Sequence, residues 1–414
     1  MKKVLLLSPV EGRDEAGGDR TYTNVLCDNP PPGFCYETYD LALERGTLRE
    51  RGTGRALKAG LQRARGLALG QALALVAGEA KVTAISKTVA ALRQRKQLFW
   101  EPFLFFEVKA GEYDLVHVHI FSARMEGMGC PLVVSLGGRL RHLYLDARSY
   151  APTRVKRLEV LDRLIGRALG VNVTSEHLPQ VERMYTFTQS GTDEFKAQGI
   201  LPPDKIEYIP FHLPTPTLDF SKRAATPKRV GFVAREFGFK GGLTVLRAWD
   251  EVLKARPDAE LYIVGNPPPP NAKALEAKNV KWIPFIPREQ LMNEIMPSFD
   301  VFTYPTHYDY LPCYTLLEVM ARGVPVAGSN HRDMDVSLGL DARSVKAEAP
   351  SAGLVSPTKS ASALANNILR LLEPDENRRM REGARAHFER TFSCEAVWPQ
   401  LSRFYEKALA GETK

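Results

Sequence analysis

Two basic side chains, Arg235 and Lys240, stand five residues apart in VGFVAREFGFKGG at 230–242, where a strand-like run passes through a loop into a helix beginning near Gly242. Fixed cations beside a helix N-terminus, whose backbone N–H groups carry partial positive charge, make an anion cradle that suits a diphosphate without a metal ion. Two solvated loop cations would show the same spacing. The discriminating segment is TYPTHYDYLPCYTLLEVMARGVPVAG at 303–328: a strand end, a loop with Pro312, a helix from about Tyr314, then Gly323 and a further strand. Glu318 falls one turn into that helix, where a carboxylate can accept hydrogen bonds from ribose hydroxyls. The backbone N–H groups of Tyr314, Thr315 and Leu316 would face phosphates. Alone, such a glutamate is most often a surface residue.

These loops need parallel sheets to hold them. Apolar runs alternate with helical patterns throughout. They fall at Val4–Ser8, Leu115–His119, Leu132–Leu136, Val171–Thr174 and Thr186–Thr188 in the first half. In the second half they fall at Arg229–Ala234, Leu261–Gly265, Val280–Ile283, Val301–Tyr304 and Val324–Ala327. Leu246, Trp249 and Leu253 recur at helical spacing, as do Leu158, Leu161 and Ile165. This alternation predicts an α/β fold of parallel sheets covered on both faces. At 414 residues the chain fits two domains rather than one core. A proline-rich stretch without apolar periodicity separates the two series. The expected division is 1–212, a linker at 213–228, a second domain at 229–392 and a C-terminal helix at 393–414 carrying Trp398, Phe404 and Tyr405, packing back towards the first domain. Two Rossmann-like, doubly wound domains facing across a cleft follow, with ligand at the carboxyl ends of the strands.

Composition narrows the setting. Hydrophobic residues at 44% and charged residues at 25% exclude extended disorder. The apolar run Val4–Leu7 is too short for a secretory signal, and no window approaches the roughly 18 apolar residues of a spanning helix. Five scattered cysteines without CxxC or metal-ligand spacing suit reduced thiols and a cytoplasmic setting. A net charge of +8 points to an anionic partner. Between Arg45 and Lys96 lie Arg49, Arg51, Arg55, Lys58, Arg63, Arg65, Lys81, Lys87, Arg93 and Arg95, against Glu50 and Glu79, and LFWEPFLFF follows at 98–106. Cationic helices with aromatic neighbours bind anionic membrane headgroups. The alternative is a solvated basic face over a core that holds Phe103 to Phe106. Nucleic acid is not expected, since no recognition motif accompanies the charge.

With these motifs the chain resembles the GT-B retaining glycosyltransferases of the large glycosyltransferase family 4, the bacterial group 1 enzymes. The resemblance rests on the Arg235–Lys240 pair, a strand ending in Val264–Gly265, an Asp-led strand from Asp300 to Pro305, and E-x-M-A-x-G-x-P-V at 318–326. It implies transfer of a sugar, with retention, from a nucleotide diphosphate sugar; the basic, partly apolar 45–106 region suggests a glycan or lipid-linked acceptor at the cytoplasmic membrane face. Arg235 and Lys240 would bind the diphosphate without a metal, Glu318 the ribose, and the segment with Phe285 and Ile286 the base. Gly17 and Gly18 resemble the family's glycine pair near the donor phosphates; a plain turn is the competing account. The departing phosphate itself would take the acceptor's proton, so no dedicated protein base is needed.

The sequence departs from the family at two places. Tyr310 stands where a glutamate grips the donor sugar, with Asp309 beside it, and Gly137 stands where many members carry a histidine. A one-residue bulge between Pro305 and Tyr314 would bring Asp309, rather than Tyr310, to the transferred sugar. His117 and His119 share one strand face, so at least one is expected to be a packed structural residue. Asp333-Met334-Asp335 has the form of a metal-binding triplet, but in a two-Rossmann pattern it is expected to be a pair of solvated loop acids. A non-catalytic nucleotide-sugar scaffold and a nucleotide-sugar epimerase are the alternatives.

Overall fold

The computed structural model describes residues 1–8, 18–51, 104–119, 123–137, 181–199, 201–217, 228–265, 278–340 and 351–411, with a few positions between 151 and 160. The chain divides into two compact units, residues 1–209 with 398–414, and residues 210–397.

In chain order the first unit contains β1 (Lys2–Leu7), α1 (Gly18–Asp28), β2 (Phe34–Thr38), α2 (Tyr39–Glu44), β3 (Leu48–Arg51), β4 (Leu104–Val108), β5 (Leu115–His119), β6 (Ala123–Glu126), β7 (Leu132–Leu136), β8 (Val181–Thr186), α3 (Gln189–Gln198) and β9 (Ile206–Tyr208). Six strands form a parallel sheet in the order β2-β1-β5-β7-β8-β9. Strands β5 and β7 are buried along their whole length, as a sheet covered on both faces requires. β3, β4 and β6 make a separate three-stranded sheet. Strands flank the basic region: Arg49 and Arg51 lie on β3, and Phe106 is buried on β4. The segment 52–103 lies outside the described residues, as do Val171–Thr174 and the Leu158, Leu161, Ile165 pattern.

The second unit holds β10 (Arg229–Val233), α4 (Gly242–Ala255), β11 (Glu260–Val264), β12 (Val280–Ile283), β13 (Val301–Tyr304), α5 (Tyr314–Ala321), β14 (Val326–Ser329), α6 (Met334–Ser337), β15 (Gly353–Ser356), α7 (Ala361–Leu371) and α8 (Pro374–Thr391). Its sheet is parallel in the order β12-β11-β10-β13-β14-β15. Strand order reverses between β10 and β13, so the loops after these two strands flank the switch point where such sheets take ligand. Two motif residues have plain structural causes. Asp300 leads β13 because its carboxylate accepts the N–H groups of Lys228 and Arg229, both at 2.9 Å, and so fixes the start of β10. Gly265 ends β11 at φ +117°, and a Cβ there would stand 2.7 Å from the Ala234 carbonyl oxygen.

The last helix, α9 (Cys394–Ala410), begins in the second unit, and from Trp398 onward it belongs to the first. Trp398 donates to the Asn29 carbonyl at 3.1 Å. Deeper in, Tyr36 donates its hydroxyl to Tyr405 (3.0 Å), and the Tyr405 hydroxyl meets His117 Nδ1 at 2.9 Å. Ser135 Oγ lies 2.8 Å from His117 Nε2 and 2.9 Å from His119 Nδ1. Tyr405 thus links Tyr36 to His117, which burial keeps neutral. Both histidines are fully buried and structural.

Burial pushes the His117 pKa well below its ordinary value, and pushes His212 and His387 down to about 4. Unfolded histidines take up a proton near pH 6.5 whereas these native ones do not, so the unfolded state binds more protons as pH falls and stability declines below about pH 6.5. The loss is on the order of 2 kcal/mol per such histidine at pH 5. Thermal unfolding at pH 7.5 and pH 5 should show this drop, and His212→Leu should reduce it. An equal acid-induced drop in both proteins would contradict a neutral, buried His212.

Candidate functional site

The loop after β10 is folded on itself before α4 starts. Lys240 N–H donates to the Glu236 carbonyl (3.0 Å), and Gly242 N–H donates to that of Phe237 (2.8 Å). Gly241 precedes the helix in the left-handed region, φ +83°, and a Cβ on it would fall 2.0 Å from the Pro305 carbonyl oxygen. Only glycine allows this conformation and this approach together. A second tie runs from His307 N–H to the Phe239 carbonyl at 2.8 Å. The loop after β13 thus lies directly on the loop after β10.

That approach decides what the charged residues meet. Lys240 forms an ion pair with Asp309, which also accepts a hydrogen bond from the buried Tyr304 hydroxyl. The other carboxylate oxygen of Asp309 accepts the Tyr310 N–H at 3.0 Å. Cys313 Sγ lies 3.5 Å from the Tyr304 hydroxyl, and burial followed by the Asp309 charge pushes its thiol up to about 12, leaving it protonated and unreactive. Asp309 and not Tyr310 therefore joins the cation, but the contact is to Lys240, a partner the spacing did not suggest. Tyr310 instead has its ring centre 5.7 Å from that of Tyr308. Arg235 is exposed, its guanidinium carbon 5.6 Å from the ring centre of Phe285, itself 59% exposed. Ile286 is half-buried in the same segment after β12.

Glu318 lies one turn into α5, as its spacing indicates, yet it is only 4% exposed and is no surface residue. It is ion-paired with Arg288, from the short helical turn Arg288–Gln290. Burial raises the carboxyl pKa, and Arg288 opposes the shift. Leu316 N–H donates to the Cys313 carbonyl at 3.0 Å, which turns it into the helix's own first turn and not towards a phosphate. Gly18 is the exposed first residue of α1 in the other unit, and Gly17 lies outside the described residues. Gly137 fills its strand-end position through its carbonyl, which accepts the Thr188 hydroxyl at 3.0 Å.

The Asp333–Asp335 triplet differs from the expected pair of solvated acids. Asp333 is 5% exposed and begins α6, its carbonyl accepting the Ser337 hydroxyl at 2.6 Å. Asp335 is half-buried and accepts the Val336 N–H at 2.9 Å. Among the described residues no group of three His, Cys, Asp or Glu side chains could hold a metal ion. Sequence reasoning missed Tyr304, whose partner Asp309 lies in the loop that follows it, and also His307 and Arg288, whose partners Phe239 and Glu318 are distant in the chain and carry no local signal.

Two parallel six-stranded sheets, one with cations and a buried carboxylate around its switch point, define the GT-B class. Residues 227–374 match the family described as glycosyl transferases group 1, and the fold is of the GT-B type. It is 27% identical over 260 residues to a GDP-mannose-dependent monoacylated alpha-(1-6)-phosphatidylinositol monomannoside mannosyltransferase of Corynebacterium glutamicum. That match covers 58% of this chain and 58% of the relative's length. Among solved structures it resembles sucrose-phosphate synthase from Thermosynechococcus elongatus, with TM-score 0.58, 16% identity, and coverage of 99% of this chain and 100% of that one. It also resembles HepE of Anabaena in complex with UDP-glucose, with TM-score 0.56, 14% identity, and coverage of 98% and 100%. At these identities the two structures show a shared fold.

If the contact between the two loops shapes the site, Gly241→Ala should destabilise the protein by on the order of 2–3 kcal/mol, through a positive φ and a backbone clash together. Denaturant unfolding measures it, and an unchanged midpoint would show that the loops separate without penalty.

Proposed function

We propose that this chain transfers a sugar from a nucleotide diphosphate sugar to a glycan or lipid-linked acceptor, with retention and without a metal ion. The observation that carries the proposal is the arrangement at one switch point: Arg235 and Lys240 before α4, and the buried carboxylate of Glu318 on α5. The cations suit the diphosphate and the carboxylate suits the ribose hydroxyls. The mannosyltransferase relative is named for GDP-mannose, and the HepE structure holds UDP-glucose; both donors fit this chemistry.

In the proposed reaction the bond between the sugar's anomeric carbon and the diphosphate oxygen breaks, and negative charge grows on that oxygen. The acceptor oxygen forms the new bond on the same face, and its proton passes to the departing phosphate. Protein catalysis is then positioning and charge stabilisation. An ammonium has three donors; Lys240 gives one to Asp309 and keeps the others for phosphate. Asp309 orients this lysine, and its expected contact with the transferred sugar belongs to the same proposal. Gly17 and Gly18 as donor contacts, and Thr315 as a phosphate-facing N–H, rest on the family resemblance.

A lipid-linked acceptor at an anionic membrane surface, reached from the cytoplasm, draws support from the basic stretch 45–96 and from the lipid acceptor in the relative's name. Among the described residues no helix is long and apolar enough to cross a membrane, and the proposed contact is peripheral.

A thermal-shift screen with UDP, GDP, UDP-glucose and GDP-mannose tests the donor class, because a ligand that binds the native state raises its unfolding temperature by mass action. At least one nucleotide should do so, and Glu318→Gln should lessen the shift without altering the fold; no shift from any of the four would reject the proposal. Donor turnover should persist in a chelator, and Lys240→Ala should cost on the order of 2–4 kcal/mol of transition-state stabilisation. Strict dependence on magnesium or manganese would overturn the metal-free mechanism. Donor binding without any turnover would favour a scaffold.

A further inference from the structure

The ion pair at Glu318 has a direction. Two guanidinium groups act on this carboxylate, those of Arg288 and Arg322, and a third, Arg385, lies near Arg322. Arg322, on the same helix, spends Nε on the Met292 carbonyl (2.7 Å) and Nη1 on the carbonyl of Glu318 itself (2.9 Å). Arg385, on α8, donates to the carbonyls of Ala321 and Pro216 and is ion-paired with Glu389. Arg288 alone among the described residues donates to the carboxylate, and it does so at Oε1. The described residues place no hydrogen bond on Oε2, which is not among the sealed, unbonded polar atoms. One oxygen is thus held and the other is presented.

Arg288 itself is 46% exposed and leaves the chain three residues after Phe285, in the segment that begins beyond β12. It therefore joins the segment assigned to the base to the carboxylate assigned to the ribose. We propose that Arg288 is a positioning residue of the nucleoside site, fixing Glu318 by one oxygen so that the other accepts the ribose hydroxyls; this rests on the nucleotide-sugar reading above.

The physical consequence concerns protonation. A carboxylate buried to this degree favours its neutral form, and the cation beside it favours the charged one, which is the stronger acceptor. Without Arg288 the raised carboxyl pKa rises further. Arg322 stays charged across the neutral range and His387 stays neutral, so Glu318 is the group that titrates.

The test is calorimetric titration of UDP and GDP into the full chain from pH 6.0 to 8.5, comparing wild type with Arg288→Met, Arg288→Lys, Glu318→Gln and the Arg288→Met/Glu318→Gln double variant. Each affinity is taken as a ratio to wild type at the same pH, which cancels titration of the diphosphate. Arg288→Met should bind about tenfold more weakly at pH 6, recovering most of the loss by pH 8.5 as Glu318 ionises. Arg288→Lys should stay near wild type, Glu318→Gln should be weak at every pH, and the double variant should be no weaker than Glu318→Gln. A loss in Arg288→Met that is the same at every pH, or no loss at all, would overturn the inference while weak binding by Glu318→Gln left the donor assignment standing. Wild type that binds neither nucleotide would remove the donor assignment itself.

Discussion

The second unit depends on one constraint: two loops leaving neighbouring parallel strands must touch. Strands β10 and β13 are hydrogen-bonded neighbours at the reversal of strand order. Their following segments would ordinarily diverge to opposite faces of the sheet. Here they stay together, with the Pro305 carbonyl occupying the space a side chain on residue 241 would need. Lys240 meets Asp309, and His307 reaches Phe239, because the backbones have already converged. The Lys240 ammonium is consequently held by Asp309 across the contact of the two loops.

Burial of charge in this unit follows a consistent rule. Asp300 caps strand starts, Arg322 is consumed by carbonyls, and Glu318 is matched by a guanidinium. Each satisfies a group that would otherwise be stranded in a low-dielectric interior. Glu318 differs from the other two in retaining acceptor capacity. An incompletely satisfied buried group is tolerated where a ligand completes it, and this separates a site residue from a structural one more sharply than its position on a helix does.

Strands whose apolar residues run uninterrupted were legible. β12 and β13 match the reading residue for residue, and β10 and β11 match within one residue at each end. β2 and β8 were not. Each carries charges that local pattern counts against a buried strand, and each neutralises them through residues remote in sequence. Glu37 on β2 is paired with Lys3 and Arg45. On β8, Glu182 is paired with Lys205 and Arg183 with Glu207. The last residue of β8 was assigned to a strand displaced toward Thr188, where the apolar signal returns. The same limit applies at the site: Arg235, Lys240 and Glu318 fall in local motifs, whereas Arg288 acquires meaning only from a carboxylate thirty positions on. Asp309 was singled out for the transferred sugar, whereas its ion pair with Lys240 was set by the loop contact and not by spacing.

The split of the first unit between residues 1–209 and 398–414 bears on how the protein is made. Translation delivers the strands of the first sheet early, but the phenol of Tyr405 that completes the His117–Ser135–His119 chain follows the whole of the 210–397 unit. Until then the imidazole of His117 lacks its Tyr405 partner, and the face that receives Phe404 and Tyr405 is uncovered. The 210–397 unit has no such wait, since its sheet and α8 are contiguous in the chain. The order of maturation can therefore be inverted: the later-encoded unit can close before the earlier one is finished.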